Sequence, residues 1–297
     1  MKIVVTGANG QVGWELARLG GKHDLLALDR AALDITDAPA VQALLAATRP
    51  AVVINAAAYT AVDRAEQEPE LAFAVNREGP RALAAACQRL DLPLLHLSTD
   101  YVFDGTYGEP YREADPVAPL GVYGRSKWEG EEAVRQTHAA HLILRVSWVF
   151  GEHGNNFVKT MLRLARERDE LRVVMDQRGR PTYAGDIARV LLALAERIGG
   201  GEEDEWAGTY HYCGSPATTW HGFAQAIIDL ARTHEPLRVQ TIVPITTAEY
   251  PTPAQRPANS VLACDRLKAR FGIAAPPWRE GLATTLQALC LAGITSA

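Results

Sequence analysis

At 297 residues the chain can form one large α/β domain, or a dinucleotide-sized domain with a smaller second lobe. A hydrophobic fraction of 47% excludes wholesale disorder, and a formal net charge of −5 leaves no basic footprint for nucleic acid. No apolar run approaches the roughly 20 residues of a bilayer-spanning helix, so neither nucleic acid nor membrane is an expected partner, and an anionic substrate must be held by a few local cations.

The opening Met1-Lys2-Ile3-Val4-Val5 runs straight into an expected strand over residues 2–6, so no signal peptide is expected and the cytoplasm is the expected location. Thr6-Gly7-Ala8-Asn9-Gly10-Gln11-Val12-Gly13 follows, then a helix over 11–19. Gly7, Gly10 and Gly13 suit a tight turn, close approach of backbone to a pyrophosphate, and close packing of helix on strand. The helix start adds unpaired N–H groups and a positive dipole end. A second strand over 24–28 leads into Asp29-Arg30. An acid there accepts from ribose hydroxyls and favours NAD, whereas an arginine can bind a 2′-phosphate and favours NADP; with both present, NADH and NADPH are both admitted. Leu33-Asp34-Ile35-Thr36 reads as a short crossing segment whose Asp34 could touch adenine.

A helix over 38–47 and a strand over 51–55 come next. The strand ends in Asn55-Ala56-Ala57-Ala58-Tyr59-Thr60, where small residues let a cofactor lie against the backbone. A helix is expected over 70–90, with Leu83 and the alanines of its last turns on a buried face, and a strand over 93–97. The continuation, Ser98-Thr99-Asp100-Tyr101-Val102-Phe103, puts hydroxyls at the carboxyl edge of a central strand, where ligands bind in open parallel sheets. The following helix, 122–136, opens on Tyr123-Gly124-Arg125-Ser126-Lys127. Positions i and i+4 share a helix face, so phenol and ammonium can converge. Carbonyl reduction needs a proton for the oxygen that becomes an alkoxide as hydride arrives. Tyr123 is the expected donor and Thr99 a hydrogen-bonding partner of the carbonyl; Lys127 is expected to favour the phenolate and to hold the nicotinamide ribose.

After a strand over 141–146 and Trp148 the pattern changes: helix 156–168, strand 171–175, helix 185–198 ended by Gly199 to Gly201, an exposed acidic loop over 201–205, strand 209–212 and helix 219–233. The proline-rich stretch 244–257 is expected to be loop. His138 and His141 flank a helix-to-strand junction and are expected in solvent. Cys87, Cys213, Cys264 and Cys290 stand far apart in sequence and are expected to be reduced packing residues. The fold expected is a Rossmann-type, doubly wound α/β parallel sheet with a smaller C-terminal substrate-binding lobe. Residues 1–150 would bind NAD(P), later segments such as 183–200 would return to that domain, and 151–297 would form mainly the substrate lobe.

Several segments together resemble the dTDP-4-dehydrorhamnose reductases, extended short-chain dehydrogenases. They are the glycine turn, Ser98-Thr99-Asp100-Tyr101-Val102-Phe103-Asp104-Gly105, Tyr123 to Lys127 and Arg145-Val146-Ser147-Trp148-Val149-Phe150. The likeness continues through Gly154-Asn155-Asn156-Phe157-Val158-Lys159-Thr160-Met161, Asp176-Gln177-Arg178-Gly179-Arg180-Pro181-Thr182 and Arg256-Pro257-Ala258-Asn259-Ser260, nearly the whole chain. The resemblance implies NAD(P)H-dependent reduction of the 4-keto group of dTDP-6-deoxy-L-lyxo-4-hexulose to dTDP-L-rhamnose. It implies nucleotide contacts from Gly10, Gln11, Val12, Asp29, Asp34 and Ile35, with Ala58, Tyr59 and Thr60 along the cofactor. Tyr123 would be the proton donor with Lys127 as partner. Thr99 and Asp100 would touch the sugar, Trp148 would sit at its pocket, and Arg256 would hold pyrophosphate, with Asn156 and Gln177 as further ligands. Some members bind Mg²⁺ through glutamates; Glu15 is present, but Gly185 stands where a second carboxylate is sought, so no metal is expected. A homodimer is compatible with this reading.

Two other functions remain open on the same residues. A nucleotide-sugar epimerase or dehydratase shares the scaffold, although dehydratases tend to carry Asp-Glu after the threonine and here Tyr101 follows Asp100. The non-catalytic regulatory subunit of methionine adenosyltransferase also resembles this family and can keep the tyrosine–lysine pair.

Overall fold

The structure is a computed structural model that describes residues 1–201 and 205–294. Its first half runs β1 (Lys2–Thr6), α1 (Gln11–Leu19), β2 (Asp24–Leu28), α2 (Ala38–Thr48), β3 (Val52–Asn55), α3 (Val62–Ala65), α4 (Pro69–Phe73), α5 (Gly79–Leu90), β4 (Leu94–Thr99), α6 (Val122–Thr137) and β5 (His141–Val146). The second half adds β6 (Val149–Phe150), α7 (Phe157–Glu167), β7 (Glu170–Val174), β8 (Arg178–Gly179), β9 (Thr182–Tyr183), α8 (Ala184–Gly199), β10 (Gly208–His211), β11 (Thr218–Thr219), α9 (Trp220–Ala231), β12 (Thr241–Ile245), α10 (Asp265–Phe271) and α11 (Trp278–Ile294).

Strands that are apolar on both faces must be covered on both faces, and they pair in parallel. The main sheet has the order β10-β5-β4-β3-β1-β2, every pair parallel. On one face Ile3, Val5, Ile54, Leu95, Leu142 and Leu144 meet Val12 and Leu16 of α1 and Ile187, Leu191 and Leu194 of α8. On the other, Val4, Val53, Leu94 and Ile143 meet Val41 and Leu45 of α2 and Leu83 and Cys87 of α5. Each such side chain contributes about 1.5–3 kcal/mol by leaving water. The chain winds outward from β1 to β2 and back past it to β3, so the crevice between these connections opens at the carboxyl ends of β1 and β3, where doubly wound sheets bind ligands. A second cluster joins α7, α9, α11 and β7 through Val158, Leu162, Leu171, Phe223, Ile227, Trp278 and Leu282. Among the described residues no helix is long and apolar enough to cross a membrane.

Several expectations need correction. The helix expected over 70–90 is interrupted by a π-turn, Ala74–Glu78, between α4 and α5. Pro80 has no N–H to return to the Asn76 carbonyl, and the ladder widens so that the Gly79 amide donates to Ala74 O. Pro244 lies within β12, in register with Val173 of β7. It is tolerated because β12 pairs with β7 alone, leaving one strand edge that needs no donor. Thr247–Glu249 then forms a 3₁₀ turn closed by a Thr246–Glu249 capping box. His138 and His141 are buried, not solvated: His138 Nε2 faces Leu92 O at 2.8 Å, and His141 Nδ1 faces His138 O. Cys213 and Cys264 bring their sulfurs to 3.4 Å as free thiols. Residues 202–204 of the expected acidic loop lie outside the described residues.

Candidate active site

The glycine turn leaves β1 with Gly7 at φ +80°, where a Cβ would come within 2.5–2.7 Å of the Ala56–Ala57 backbone. At Gly13 a Cβ would collide with the Gly7 carbonyl, so α1 can pack this close to β1 only with glycine. Gly10 heads α1 without a side-chain cap, which leaves the first-turn amides open to an anion. At the end of β2, Asp29 accepts from the Ala32 amide at 2.9 Å and from Asn9 Nδ2 at 2.9 Å, and these bonds, Ala32 first, hold its carboxylate below the usual range. Arg30 is exposed and reaches Asp34 at 3.4 Å; Asp34 also accepts from the Thr36 amide and hydroxyl. Ile35 and Val12 are buried, and Gln11 Nε2 points to Val149 O. Ala58, Tyr59 and Thr60 leave β3 in a segment pinned at Tyr59, whose amide donates to Asn76 Oδ1 at 2.8 Å and whose carbonyl accepts from Asn76 Nδ2 at 3.0 Å. A cradle that a Cβ would fill, a helix start with open amides, and an acid at the next strand end fit a dinucleotide.

Thr99 is the last residue of β4 and caps the 3₁₀ turn Asp100–Val102, accepting from the Tyr101 amide at 3.2 Å. Its hydroxyl donates to Asp100 Oδ1 at 3.0 Å and lies on the Tyr123 side of the turn, where it lowers the phenol's pKa. Tyr123 stands in the first turn of α6, its ring edge-on to Tyr101 at 5.5 Å. One turn on, Lys127 Nζ donates to Leu97 O at 2.7 Å, two residues before Thr99 on the same strand. Threonine, tyrosine and lysine thus converge on the carboxyl end of β4. The electrostatics differ from expectation. Burial pushes the Tyr123 phenol up to about 12; the Thr99 hydroxyl opposes this and the Asp100 charge adds to it. Burial brings Lys127 down to about 8 against the pull of Glu131. Lys127 is committed to the β4 backbone, and Tyr123 is held as a protonated phenol at neutral pH, which is the form a proton donor needs.

Beneath Lys127 lies a buried ion pair. Arg145 Nε and a terminal nitrogen donate to the two oxygens of Glu131 at 2.9 and 2.7 Å, and both side chains are about 1% exposed or less. Burial works against the Glu131 carboxylate, but the charges and hydrogen bonds of Arg145 and then Arg135 hold it down to about 2. Asp100 is the opposite case. It is 2% exposed, burial raises it to about 7, and the Ser260 and Thr99 hydroxyls offset only part of that rise.

On the substrate side Trp148 follows β5 in the left-handed region at φ +46°, with its Nε1 donating to Ser260 Oγ at 3.1 Å. Its indole stacks on Trp220 at 3.5 Å, and Gly179 makes room, since any Cβ there would strike the ring. Arg256 pairs in parallel with both oxygens of Asp63 at 2.7 and 2.8 Å, beside Tyr101. The remaining two expected ligands turn their amides to the chain itself. Asn156 caps α7 and donates to Gln11 Oε1 and Gly151 O, while Gln177 donates to Thr247 Oγ1. Glu15 is buried, accepting from the exposed Arg18 at 2.6 Å and lying 3.4 Å from the Tyr183 phenol, which donates to Glu152 at 2.9 Å; a Cβ on Gly185 would strike the Tyr183 ring. Among the described residues no three metal-binding side chains group together.

Four residues escape sequence reasoning. Asn76, on the π-turn, joins Tyr59 of the cofactor segment to Ser126 of α6 at 3.0 Å. A polar residue in an apolar helical run shortly before Gly79-Pro80 is the signal that could have found it. Glu66 caps α6 by accepting the Val122 amide at 2.8 Å, and Ser260 and Trp220 hold Trp148; none of these has a local signature.

A family model described as RmlD substrate binding domain matches residues 1–291. The chain is 49% identical over 285 residues to a dTDP-4-dehydrorhamnose reductase from Aggregatibacter actinomycetemcomitans, covering 95% of this chain and 97% of that protein. Among solved structures, a dTDP-4-dehydrorhamnose reductase from Bacillus anthracis str. Ames in complex with NADP superimposes with TM-score 0.89 at 37% identity, covering 97% of this chain and 99% of the other. The ortholog from Clostridium acetobutylicum ATCC 824 gives TM-score 0.90 at 40% identity over the same shares.

Proposed function

The chain belongs to the dTDP-4-dehydrorhamnose reductase family, and from that membership we propose how its residues carry out NAD(P)H-dependent reduction of dTDP-4-dehydrorhamnose to dTDP-L-rhamnose. The observation that carries the reading is the Thr99–Tyr123–Lys127 convergence on β4, the strand beside β3 and the crevice that holds the glycine turn.

Gly7, Gly10, Gln11, Val12 and Gly13 would receive the pyrophosphate on the amides of α1. Asp29 would take the adenosine ribose, Arg30 a 2′-phosphate, and Asp34 and Ile35 the adenine, so both NADPH and NADH are admitted. Ala58, Tyr59 and Thr60 would line the path to the nicotinamide. When bound, the reduced cofactor supplies the hydride for the sugar C4. Thr99 hydrogen-bonds the 4-keto oxygen and orients it toward Tyr123. The Tyr123 phenol gives its proton to that oxygen as negative charge develops there. Lys127, fixed by the Leu97 carbonyl, would hold the nicotinamide ribose. The stacked indoles of Trp148 and Trp220 offer an apolar face to the deoxysugar, and Asp100, Asn156, Gln177 and Arg256 would bound the rest of the substrate site. Arg256 would exchange part of its pairing with Asp63 for diphosphate oxygens.

Residues 1–150, with 183–200, are read as the NAD(P)-binding part and 151–297 as mainly the substrate lobe. The protein is read as cytoplasmic, without nucleic-acid partners and able to form a homodimer. Incubation of the purified chain with dTDP-4-dehydrorhamnose and NADPH or NADH should bleach the reduced nicotinamide band and yield dTDP-L-rhamnose. Tyr123→Phe should lose at least roughly 10²-fold in kcat with little change in cofactor affinity. No turnover with either cofactor would refute the assignment.

A further inference from the structure

Four cysteines lie far apart along the chain, and the fold brings two of them together. Cys213 stands two residues past β10 and Cys264 directly before α10, 51 residues away in sequence, yet their sulfurs lie 3.4 Å apart. Both thiols are free, and both turn to one acceptor, the Leu262 carbonyl, at 3.5 and 3.8 Å. Arg180, from the turn between β8 and β9, reaches the same spot. One of its terminal nitrogens donates to Cys213 Sγ at 3.8 Å and to Leu262 O at 3.0 Å. Its Nε is buried without an acceptor among the described residues, so the guanidinium brings both a charge and an open donor to this cluster. Cys213 is fully buried, whereas Cys264 keeps 8% of its surface exposed.

Closing this contact to the roughly 2.05 Å of a disulfide asks for a movement of roughly 1.4 Å shared between two side chains. The thiolate is the form that attacks oxidants, and a neighbouring cation or hydrogen-bond donor favours it. The two sulfurs are unequal in this respect. Hydrogen bonding from Cys213 holds the Cys264 thiol below the usual range against its burial, with the Arg180 charge assisting. Burial pushes Cys213 well up. The remaining two cysteines lack such help. Burial takes Cys87 up to about 12, and burial together with the bond to Glu235 takes Cys290 up to about 11.

We propose that Cys213 and Cys264 form a reversible disulfide site, in which a peroxide oxidises Cys264 and Cys213 resolves it. The Cys264 thiolate attacks one peroxide oxygen, the O–O bond breaks, and the leaving hydroxide takes up the proton lost by that thiol as water. Cys264 is then a sulfenic acid, oxidised by two electrons, and the peroxide is reduced. The Cys213 sulfur attacks the sulfenic sulfur, the S–S bond forms, the S–O bond breaks, and a second water leaves with the Cys213 proton. Two thiols and one peroxide thus give one disulfide and two waters, and a small dithiol reverses the result by exchange. In a reducing compartment such a bond is transient, which is how redox-sensing pairs operate. The bridge would tie the segment after β10 to the one that carries Ser260, whose hydroxyl accepts from Trp148 Nε1. The proposal stands on the sulfur geometry and does not rest on the reductase reading.

The test exposes the purified, folded chain to hydrogen peroxide, then alkylates the remaining thiols in denaturant and maps them by mass. The wild type should lose two of its four alkylatable thiols, yield a linked pair of peptides containing residues 213 and 264, and recover all four with dithiothreitol. Cys87 and Cys290 should react at least about tenfold more slowly than the pair. Cys213→Ser should leave Cys264 as a sulfenic acid that a cyclic 1,3-dione labels, and Cys264→Ser should leave Cys213 unoxidised over the same exposure. Four intact thiols after an exposure that consumes free cysteine in the same tube would overturn the proposal. So would loss of all four thiols at one rate, or a 213–264 link that forms only when peroxide is added in denaturant. Should either variant fail to fold, the wild-type peptide map decides alone. No outcome bears on sugar reduction, so failure here leaves the reductase reading standing.

Discussion

Two buried carboxylates, Glu131 within α6 and Asp100 in the turn after β4, are built in opposite ways. Glu131, beneath Lys127, has both oxygens bound by Arg145 and is ionised to about pH 2. Asp100, beyond Thr99, has one oxygen bound and one bare, and holds its proton to about pH 7. Both are almost fully buried, so burial alone does not decide charge; the donors around each carboxylate do. The paired site fixes the floor of the candidate active site, and the under-paired site favours a neutral acid at its edge.

The comparison breaks most sharply at Arg145. Arg145→Ala would strip the donor from Glu131 Oε1 and leave the buried carboxylate with Arg135 alone on its other oxygen, and should destabilise the fold by about 3–5 kcal/mol in urea unfolding. An effect under about 1 kcal/mol would show that the pair is not fixing that floor. Next in size is the pH dependence of stability, where the two acids act in opposite directions. Glu131 has a depressed pKa, so its contribution is present above its unfolded value and is lost as pH falls from about 4.5 toward 2. Asp100 has a raised pKa, so the folded chain holds the extra proton between 3.8 and about 7, and stability falls as pH rises through that window. Each effect amounts to roughly a few kcal/mol, at about 1.4 kcal/mol per pH unit. Urea unfolding across pH should lose the acid-side slope in Glu131→Gln and the neutral-side slope in Asp100→Asn, and an interchange of the two slopes would refute the contrast.

A smaller effect is expected at Asn76, which ties the cofactor segment to α6. Asn76→Ala leaves the Tyr59 amide without its acceptor and should cost about 1–3 kcal/mol. It should lower kcat and cofactor affinity together, because both sides of the site lose one tether. The smallest change in stability belongs to Arg30, whose ion pair with Asp34 is exposed. Arg30→Ala should alter unfolding by less than about 0.5 kcal/mol while shifting the ratio of NADPH to NADH use toward NADH. An unchanged ratio would show that Arg30 does not read the 2′-phosphate.

Much of this was legible along the chain because it is local. Alternating apolar runs and helical stretches specify the doubly wound sheet, and the Gly7-x-x-Gly10-x-x-Gly13 turn meets steric demands set within a few residues. Tyr123 and Lys127 share a helix face by periodicity alone. The π-turn was hidden because Pro80 looks compatible with a helix start, and only packing of Gly130 of α6 against the Asn76 carbonyl gives the widened turn a use. Pro244 misled because a missing donor matters only when a neighbour strand needs it.

What the sequence by itself determined is the fold class, the glycine turn after β1 and the types of residue that meet at the candidate site, since these follow from short-range spacing and hydrophobic pattern. What only the tertiary structure decided is the protonation state of those residues and the orientation of their partners. Glu66, Ser260, Trp220 and Arg145 come from distant parts of the chain, and the charge a buried group carries depends on which donors the finished fold brings to it.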